Sequence, residues 1–290
     1  MLSWYQHFPQ IIDPIAFTIG SFSVRWYALS YIVGFFAAYG VLMLKINRET
    51  EIAAEIFNLT DVSSHSDFKT RISNLITDFL IFAFAAAIIG GRIGYVLLYD
   101  FKFFLENPLQ IISPFDAYGH YIGIFGMSYH GALISVIVMS WLFVKHHKIS
   151  FWKFADLLAP AAAAGYFFGR IGNFLNGELF GRTTNLPIGM YFGTENSLRH
   201  PSQLYEALGE GILLFVLLWM LSKRKSFDGV IFAWYLIGYA LIRFILEFMR
   251  EPDVQIGFVF AGLTMGQILS IGLLICGVFI FAVRRRRNVV

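Results

Sequence analysis

The sequence predicts an all-α polytopic membrane protein with seven transmembrane helices and a long outer connection between helices four and five. Two observations carry that expectation. Of 290 residues, 57% are hydrophobic and 14% charged, where an ordinary soluble domain has about 25% charged. The apolar residues also gather in runs near the roughly 20 that a helix needs to cross a bilayer core. An aromatic load of 32 Phe, 14 Tyr and 6 Trp suits lipid boundaries, and the same composition excludes disorder.

Taken in order, the spans fall at about 25–44, 79–99, 122–144, 154–170, 207–222, 229–248 and 262–283. The fourth and fifth are the weakest, being short or flanked by Gly and Pro. Everything else reads as connection, so residues 1–290 are expected to form one membrane domain, with 171–206 as an outer loop or head region. The first 24 residues carry Asp13 and Pro14 and lack a basic start and a small-residue cleavage site, so no secretory cleavage is expected. Residues 45–78 form a polar, helix-compatible stretch without a visible function. Cys276, alone in the last span, reads as a small packing residue.

Sorting the 22 Lys and Arg by side gives the orientation. Lys45, Arg48, Lys69, Arg71, Lys145, Lys148, Lys153, Lys223, Arg224, Lys225 and the run Arg284–Arg287 fall on one side. Only Lys102, Arg182, Arg199 and Arg250 fall on the other. The positive-inside rule then makes the N-terminus periplasmic and the C-terminus cytoplasmic. The terminal basic run reads as a stop-transfer and lipid anchor.

Four arginines remain, Arg25, Arg92, Arg170 and Arg243, inside or at the edge of spans. An arginine near a span's centre costs about 2.5–3.5 kcal/mol even on the lenient insertion scale, so each needs compensation. At 1.5 Å per helical residue all four belong to the outer leaflet. Snorkelling suffices for Arg25. Arg243 has Glu247 one turn on and Arg250 at the next position of the same face, so a structural ion pair competes with a functional reading. Arg92 lies in Gly90-Gly91-Arg92-Ile93-Gly94, where the glycines serve either helix packing or ligand approach. His130, in Ser128-Tyr129-His130-Gly131, is at similar depth and has the side chain suited to proton transfer near neutrality. The densest polar stretch runs from Gly169 to Arg182 and includes Arg170, Asn173, Glu178 and Gly181. Its glycines suit an anion cradle or a plain helix exit. A second polar stretch, Arg199 to Glu206, leads into span five and reads equally as an N-capped helix start.

Cations at the outer headgroup level, with Tyr27, Asn173 and Tyr239 as hydrogen-bond donors, suit a lipid phosphate, and a nearby histidine suits acid/base chemistry. There is no HExxH and no GxSxG, and the seven His lack ligand spacing. No metal, cofactor or nucleic-acid partner is expected. An anion or lipid transporter using intramembrane arginines is the competing class, although these arginines gather in one leaflet; a scaffold binding anionic lipid is a further rival.

These residues resemble a known family. Gly169 to Arg182 looks like the signature of bacterial phosphatidylglycerol:prolipoprotein diacylglyceryl transferases. The likeness extends through Trp26-Tyr27, Gly90 to Tyr95, Met127 to Gly131, Arg199 to Glu206, Tyr239 and Arg243 to Asp253, in order along nearly the whole chain. Departures are Ala132, where the family often has a second glycine, and the long 45–78 stretch. The resemblance implies a multi-pass enzyme of the bacterial inner membrane, with a small periplasmic head between helices four and five, that moves the diacylglyceryl group of phosphatidylglycerol onto the lipobox cysteine of a preprolipoprotein signal peptide, releasing glycerol 1-phosphate. The nucleophile is then the substrate's thiol. By resemblance, Arg170 and Arg243 correspond to arginines of lipid binding and catalysis, and His130, Tyr27, Asn173, Tyr239 and Gly181 to positions important for activity. Arg250 is expected to join the lipid-binding set, with Glu247, Arg92 and Glu178 in support.

Overall fold

The computed structural model describes residues 2–20, 22–57, 65–98, 101–113, 127–224, 227–252, 258–260 and 262–287. The chain divides into two compact units, one of residues 1–49 and 152–290, the other of residues 50–151.

The first unit opens with helix α1 (Leu2–Ile11) and a hairpin in which β1 (Ile15–Ile19) pairs antiparallel with β2 (Phe22–Arg25). Gly20 follows β1 at φ 62°, a left-handed conformation that glycine adopts without steric cost. The N–H of Trp26 bonds to Pro14 O at 3.1 Å, so the hairpin runs directly into α2 (Trp26–Arg48). After the second unit come α7 (Phe151–Leu175), then α8 (Ser202–Glu206), a π-helical segment (Ala207–Leu213) and α9 (Leu214–Ser222), which together make one long helix. Helix α10 (Val230–Leu246), the short hairpin β3 (Phe258–Phe260) and β4 (Leu263–Thr264), and α11 (Met265–Arg287) complete it.

Polar and apolar groups are distributed as a lipid solvent dictates. Ile32, Phe36, Leu217, Ile275 and Phe279 face outward, while Lys45, Asp156, Glu206, Glu210, Glu247 and Gln267 are buried. Lys45 donates to Asp156 O at 3.1 Å and to Ser222 Oγ at 3.2 Å. The Asp156 carboxylate accepts from the N–H groups of Gly229 and Phe232 at 2.8 and 2.9 Å, capping α10 from the side of α7, as an acceptor at a helix start should. Beside these polar ties lies an apolar core of Ala159, Ala163, Leu214, Leu218, Val230 and Ile231.

The second unit contains α3 (Thr50–Ile56), α4 (His65–Leu98), α5 (Phe101–Glu106), a 3₁₀ turn (Pro108–Ile111) and α6 (Tyr129–His146). Its centre is the crossing of α4 and α6. A Cβ on Gly94 would lie 2.7 Å from Gly131 Cα, and one on Gly90 would lie 2.7 Å from Gly131 O. Only missing side chains let the two backbones come this close. Packing is thus the reading of the Gly90–Gly94 glycines that the geometry supports. Ser128 caps α6, accepting from Gly131 N–H at 3.3 Å, and its own N–H bonds to Gly91 O at 2.8 Å.

Among the described residues, four helices are long and apolar enough to cross a membrane: Trp26–Arg48, Ser66–Leu97, Ser202–Ser222 and Met265–Arg287. Gly131–His146 and Val230–Leu246 are shorter apolar helices. These helices overlap six of the expected spans, residues 122–126 of the third lying outside the described residues, and α7 lies over the expected fourth while carrying Lys153, Asp156 and Arg170 along its 25 residues. Helices dominate as expected. The two hairpins depart from the all-α reading, and both are short connections rich in aromatic and β-branched residues at a helix entry.

Candidate active site

The site is built where α7, the composite helix α8–α9 and the end of α10 meet. Glu206 is its hub, 1% exposed. Its Oε2 lies 2.7 Å from Arg170 Nε. Its Oε1 lies 3.3 Å from Arg243 Nη1 and accepts a hydrogen bond from Arg250 Nη1 at 3.2 Å. One carboxylate thus bridges three guanidinium groups. Glu210 stands 3.8 Å from Arg243 Nη1 and Glu247 Oε2 lies 2.9 Å from Arg243 Nη2. Three arginines therefore meet three carboxylates in a space where an uncompensated charge would be prohibitive.

The local backbone explains this convergence. Glu206 ends α8 and Glu210 lies within the π-helical segment, a wide turn that adds a residue to the helical repeat and is frequent at functional sites. Arg243 and Glu247 are neighbours one turn apart on α10. Arg170 sits in the penultimate turn of α7, where Tyr166 and Asn173 share its face. Its Nε donates to Tyr166 Oη at 2.7 Å, its Nη1 to Asn173 Oδ1 at 3.3 Å, and the guanidinium lies 4.8 Å from the Tyr166 ring centre. Asn173 passes the network on, donating to Glu178 Oε1 at 2.8 Å. Tyr239 flanks it, its ring centre 6.0 Å from that of Tyr166. Tyr27 reaches the same helix from α2: a Cβ on Gly172 would lie 3.4 Å from Tyr27 Cα, and the Tyr27 hydroxyl is 2.9 Å from that of Tyr31.

The segment after α7 clasps the end of α10. Gly181 N–H bonds to His200 O at 2.8 Å and Arg182 N–H to Met249 O at 2.9 Å, and Gly181 bridges Arg250 in an antiparallel pair. A Cβ on Gly181 would collide with Met249 O. Gly181 therefore serves the site through its backbone, by letting the segment seat Arg250. Gln203 Nε2 donates to Glu178 O at 2.6 Å and Ser202 Oγ to Leu179 O at 2.9 Å, fixing the start of α8. Phe174, Met190 and Phe192 give this region its own apolar core. Burial holds the His200 imidazole below the ordinary histidine range.

Among the described residues, the buried side-chain atoms without a hydrogen-bond partner include Glu206 Oε2, both Glu210 oxygens, Glu247 Oε2 and Arg243 Nη1. They gather in this one cluster. Such a concentration marks a place where a polar ligand or water completes the bonding. The described residues contain no group of three or more His, Cys, Asp or Glu able to hold a metal.

Of the residues singled out in the sequence, Arg170, Arg243, Arg250, Asn173, Glu178 and Glu247 share one network, with Tyr27, Tyr239 and Gly181 at its border. Arg92 belongs to the other unit and is engaged there. Its Nε donates to Ile111 O at 2.8 Å, its Nη2 to Gln110 O at 2.6 Å, and it lies 5.0 Å from the Phe104 ring centre. Arg92 thus clamps the turn after α5. His130 falls in the first turn of α6, and its side chain lies outside the described residues. The sequence reading missed Glu206 as hub and missed Glu210 and Tyr166 altogether. A signal exists in the sequence: acids within an apolar span, as Glu206 and Glu210 are, cost as much as arginines there.

Fold and site together define a polytopic membrane protein with a buried arginine–carboxylate cluster that suits an anionic ligand. A family model for prolipoprotein diacylglyceryl transferase matches residues 14–283. The chain is 42% identical over 291 residues to the phosphatidylglycerol–prolipoprotein diacylglyceryl transferase of Chlorobaculum tepidum, covering 98% of this chain and 94% of that protein. It is 40% identical to the similarly named protein of Campylobacter lari, covering 96% of each, and 40% identical to that of Rickettsia bellii, covering 97% and 98%. The chain belongs to the prolipoprotein diacylglyceryl transferase family.

Proposed function

We propose that this protein is a transferase that moves the diacylglyceryl group of phosphatidylglycerol to the thiol of the lipobox cysteine of a preprolipoprotein, forming a thioether and releasing glycerol 1-phosphate. It does so as a single membrane domain of seven spans in the bacterial inner membrane, with a periplasmic head at 171–206, a periplasmic N-terminus and a cytoplasmic C-terminus. The observation that carries the reading is the set of three arginines, each 13–16% exposed, on one buried carboxylate. A phosphodiester presents the same planar-fork partners as that carboxylate. Among the described residues, Arg243 Nη1 is a buried nitrogen without a hydrogen-bond partner.

In the reaction the thiolate attacks the diacylglyceryl carbon and the C–O bond to phosphate breaks, its electron pair leaving with the phosphate. Arg170 and Arg243 hold the phosphate and offset the charge that develops on it, in a site where such stabilisation is strong. Asn173, Tyr27, Tyr239 and Arg250 complete the lipid contacts, with Glu178 holding Asn173. His130 takes the thiol proton, because the thiolate is the reactive form. Purified protein incubated with phosphatidylglycerol and a lipobox peptide tests the reading. Thioether and glycerol phosphate are expected in equal amounts; their absence from folded protein overturns it, and anion flux in their place identifies a transporter.

A further inference from the structure

The last helix begins with a capping box that faces the cluster. Gln267 N–H bonds to Thr264 Oγ1 at 3.3 Å, and Thr264 N–H bonds to Gln267 Oε1 at 3.1 Å, the reciprocal pattern that satisfies two open donors at a helix start. The box uses only a lone pair of the threonine hydroxyl. Its proton goes elsewhere: Thr264 Oγ1 donates to Glu247 Oε1 at 3.0 Å, while Glu247 Oε2 lies 2.9 Å from Arg243 Nη2. Thr264 is 3% exposed, and its backbone is held by the β3–β4 pairing with Phe258. Gly266 closes the seat, since a Cβ there would lie 2.6 Å from both Cδ and Oε1 of Glu247.

The terminal torsion of a glutamate is broad and roughly two-fold, so the side chain alone does not fix which way its oxygens face. A hydroxyl bonded to one oxygen does. From this we infer that Thr264 and Gly266 are positioning residues for the transfer reaction: they pin the Glu247 carboxylate, which in turn holds the Arg243 guanidinium in one orientation. The start of α11 is thereby part of the catalytic apparatus without touching substrate. The inference rests on Arg243 being the phosphate-holding arginine proposed above.

The test is steady-state kinetics of Thr264→Val, Thr264→Ser and Gly266→Ala in lipid nanodiscs, normalised to folded protein by thermal unfolding. Small misplacements of a catalytic group cost up to about 100-fold in rate. Thr264→Val is accordingly expected to lower kcat about tenfold with KM for phosphatidylglycerol within about twofold, the signature of an interaction realised in the transition state. Thr264→Ser, which keeps both hydrogen bonds, should restore kcat, and Gly266→Ala should resemble valine. In a Glu247→Gln background the valine penalty should shrink to about twofold or less, as coupled residues require. A wild-type kcat in Thr264→Val, no rescue by serine, or an undiminished penalty in the Glu247→Gln background each overturns the inference. Absence of transfer by the wild-type protein would instead overturn the functional reading.

Discussion

At the residue scale the site turns on Glu206. Because its carboxylate faces three guanidinium groups, Glu206→Gln leaves buried positive charge uncompensated. Breaking a buried ion pair in this way costs about 3–5 kcal/mol, so the variant should show a clearly lower unfolding temperature and no measurable transfer. Arg243→Lys keeps the charge but loses the fork that spans Glu206 and Glu247. A fall in kcat of about 10²-fold or more is expected, read from glycerol phosphate release; near-normal turnover would remove Arg243 from the phosphate. Arg92→Ala should act differently, because Arg92 binds backbone carbonyls of the turn at 108–111. Faster hydrogen exchange across that turn, with little loss of kcat, is the expected result. The sequence made Arg170, Arg243 and Arg92 equally conspicuous, since a cation in an apolar span is expensive wherever it sits. It could not say which partners meet that cost. Phosphate-sized forks and carbonyl clamps look alike until the chain folds.

At the element scale, helices were legible because hydropathy is a property of neighbours in sequence. The spans at 25–44 and 262–283 reappear within a few residues as α2 and α11. Other features depend on partners distant in sequence and left no such trace. The π-helical segment is visible only once Glu206 and Glu210 face their arginines, and the hairpin β3–β4 only once Thr264 caps α11. The Gly90–Gly94 cluster was legible as close approach, but its partner was not. That partner is α6, and the contact is tight enough to test. Gly94→Ala places a methyl group against Gly131 Cα, an overpacking that costs about 1–3 kcal/mol. A lower unfolding midpoint in detergent is expected; an unchanged midpoint would mean the crossing is looser than the structure has it.

At the scale of the whole molecule, the asymmetry of the 22 Lys and Arg makes a prediction about sidedness. In a Cys276→Ser background, Asp13→Cys should react with a membrane-impermeant thiol reagent in cells with a permeabilised outer membrane, and Lys223→Cys should react only after lysis. The opposite pattern would reverse the orientation. The region 171–206 adds a consequence of another kind. Its grip on the end of α10 and its internal pairing run largely through main-chain bonds, Gly181 to His200, Arg182 to Met249, Thr184 to Leu198 and Met190 to Arg199. Such bonds do not depend on the strand being continuous a few residues away. Gly193 and Thr194 lie exposed between the paired stretches. The molecule is therefore suited to being split there: two polypeptides, one ending at Gly193 and the other beginning at Thr194, retain the pairings that would let them reassemble without a covalent link.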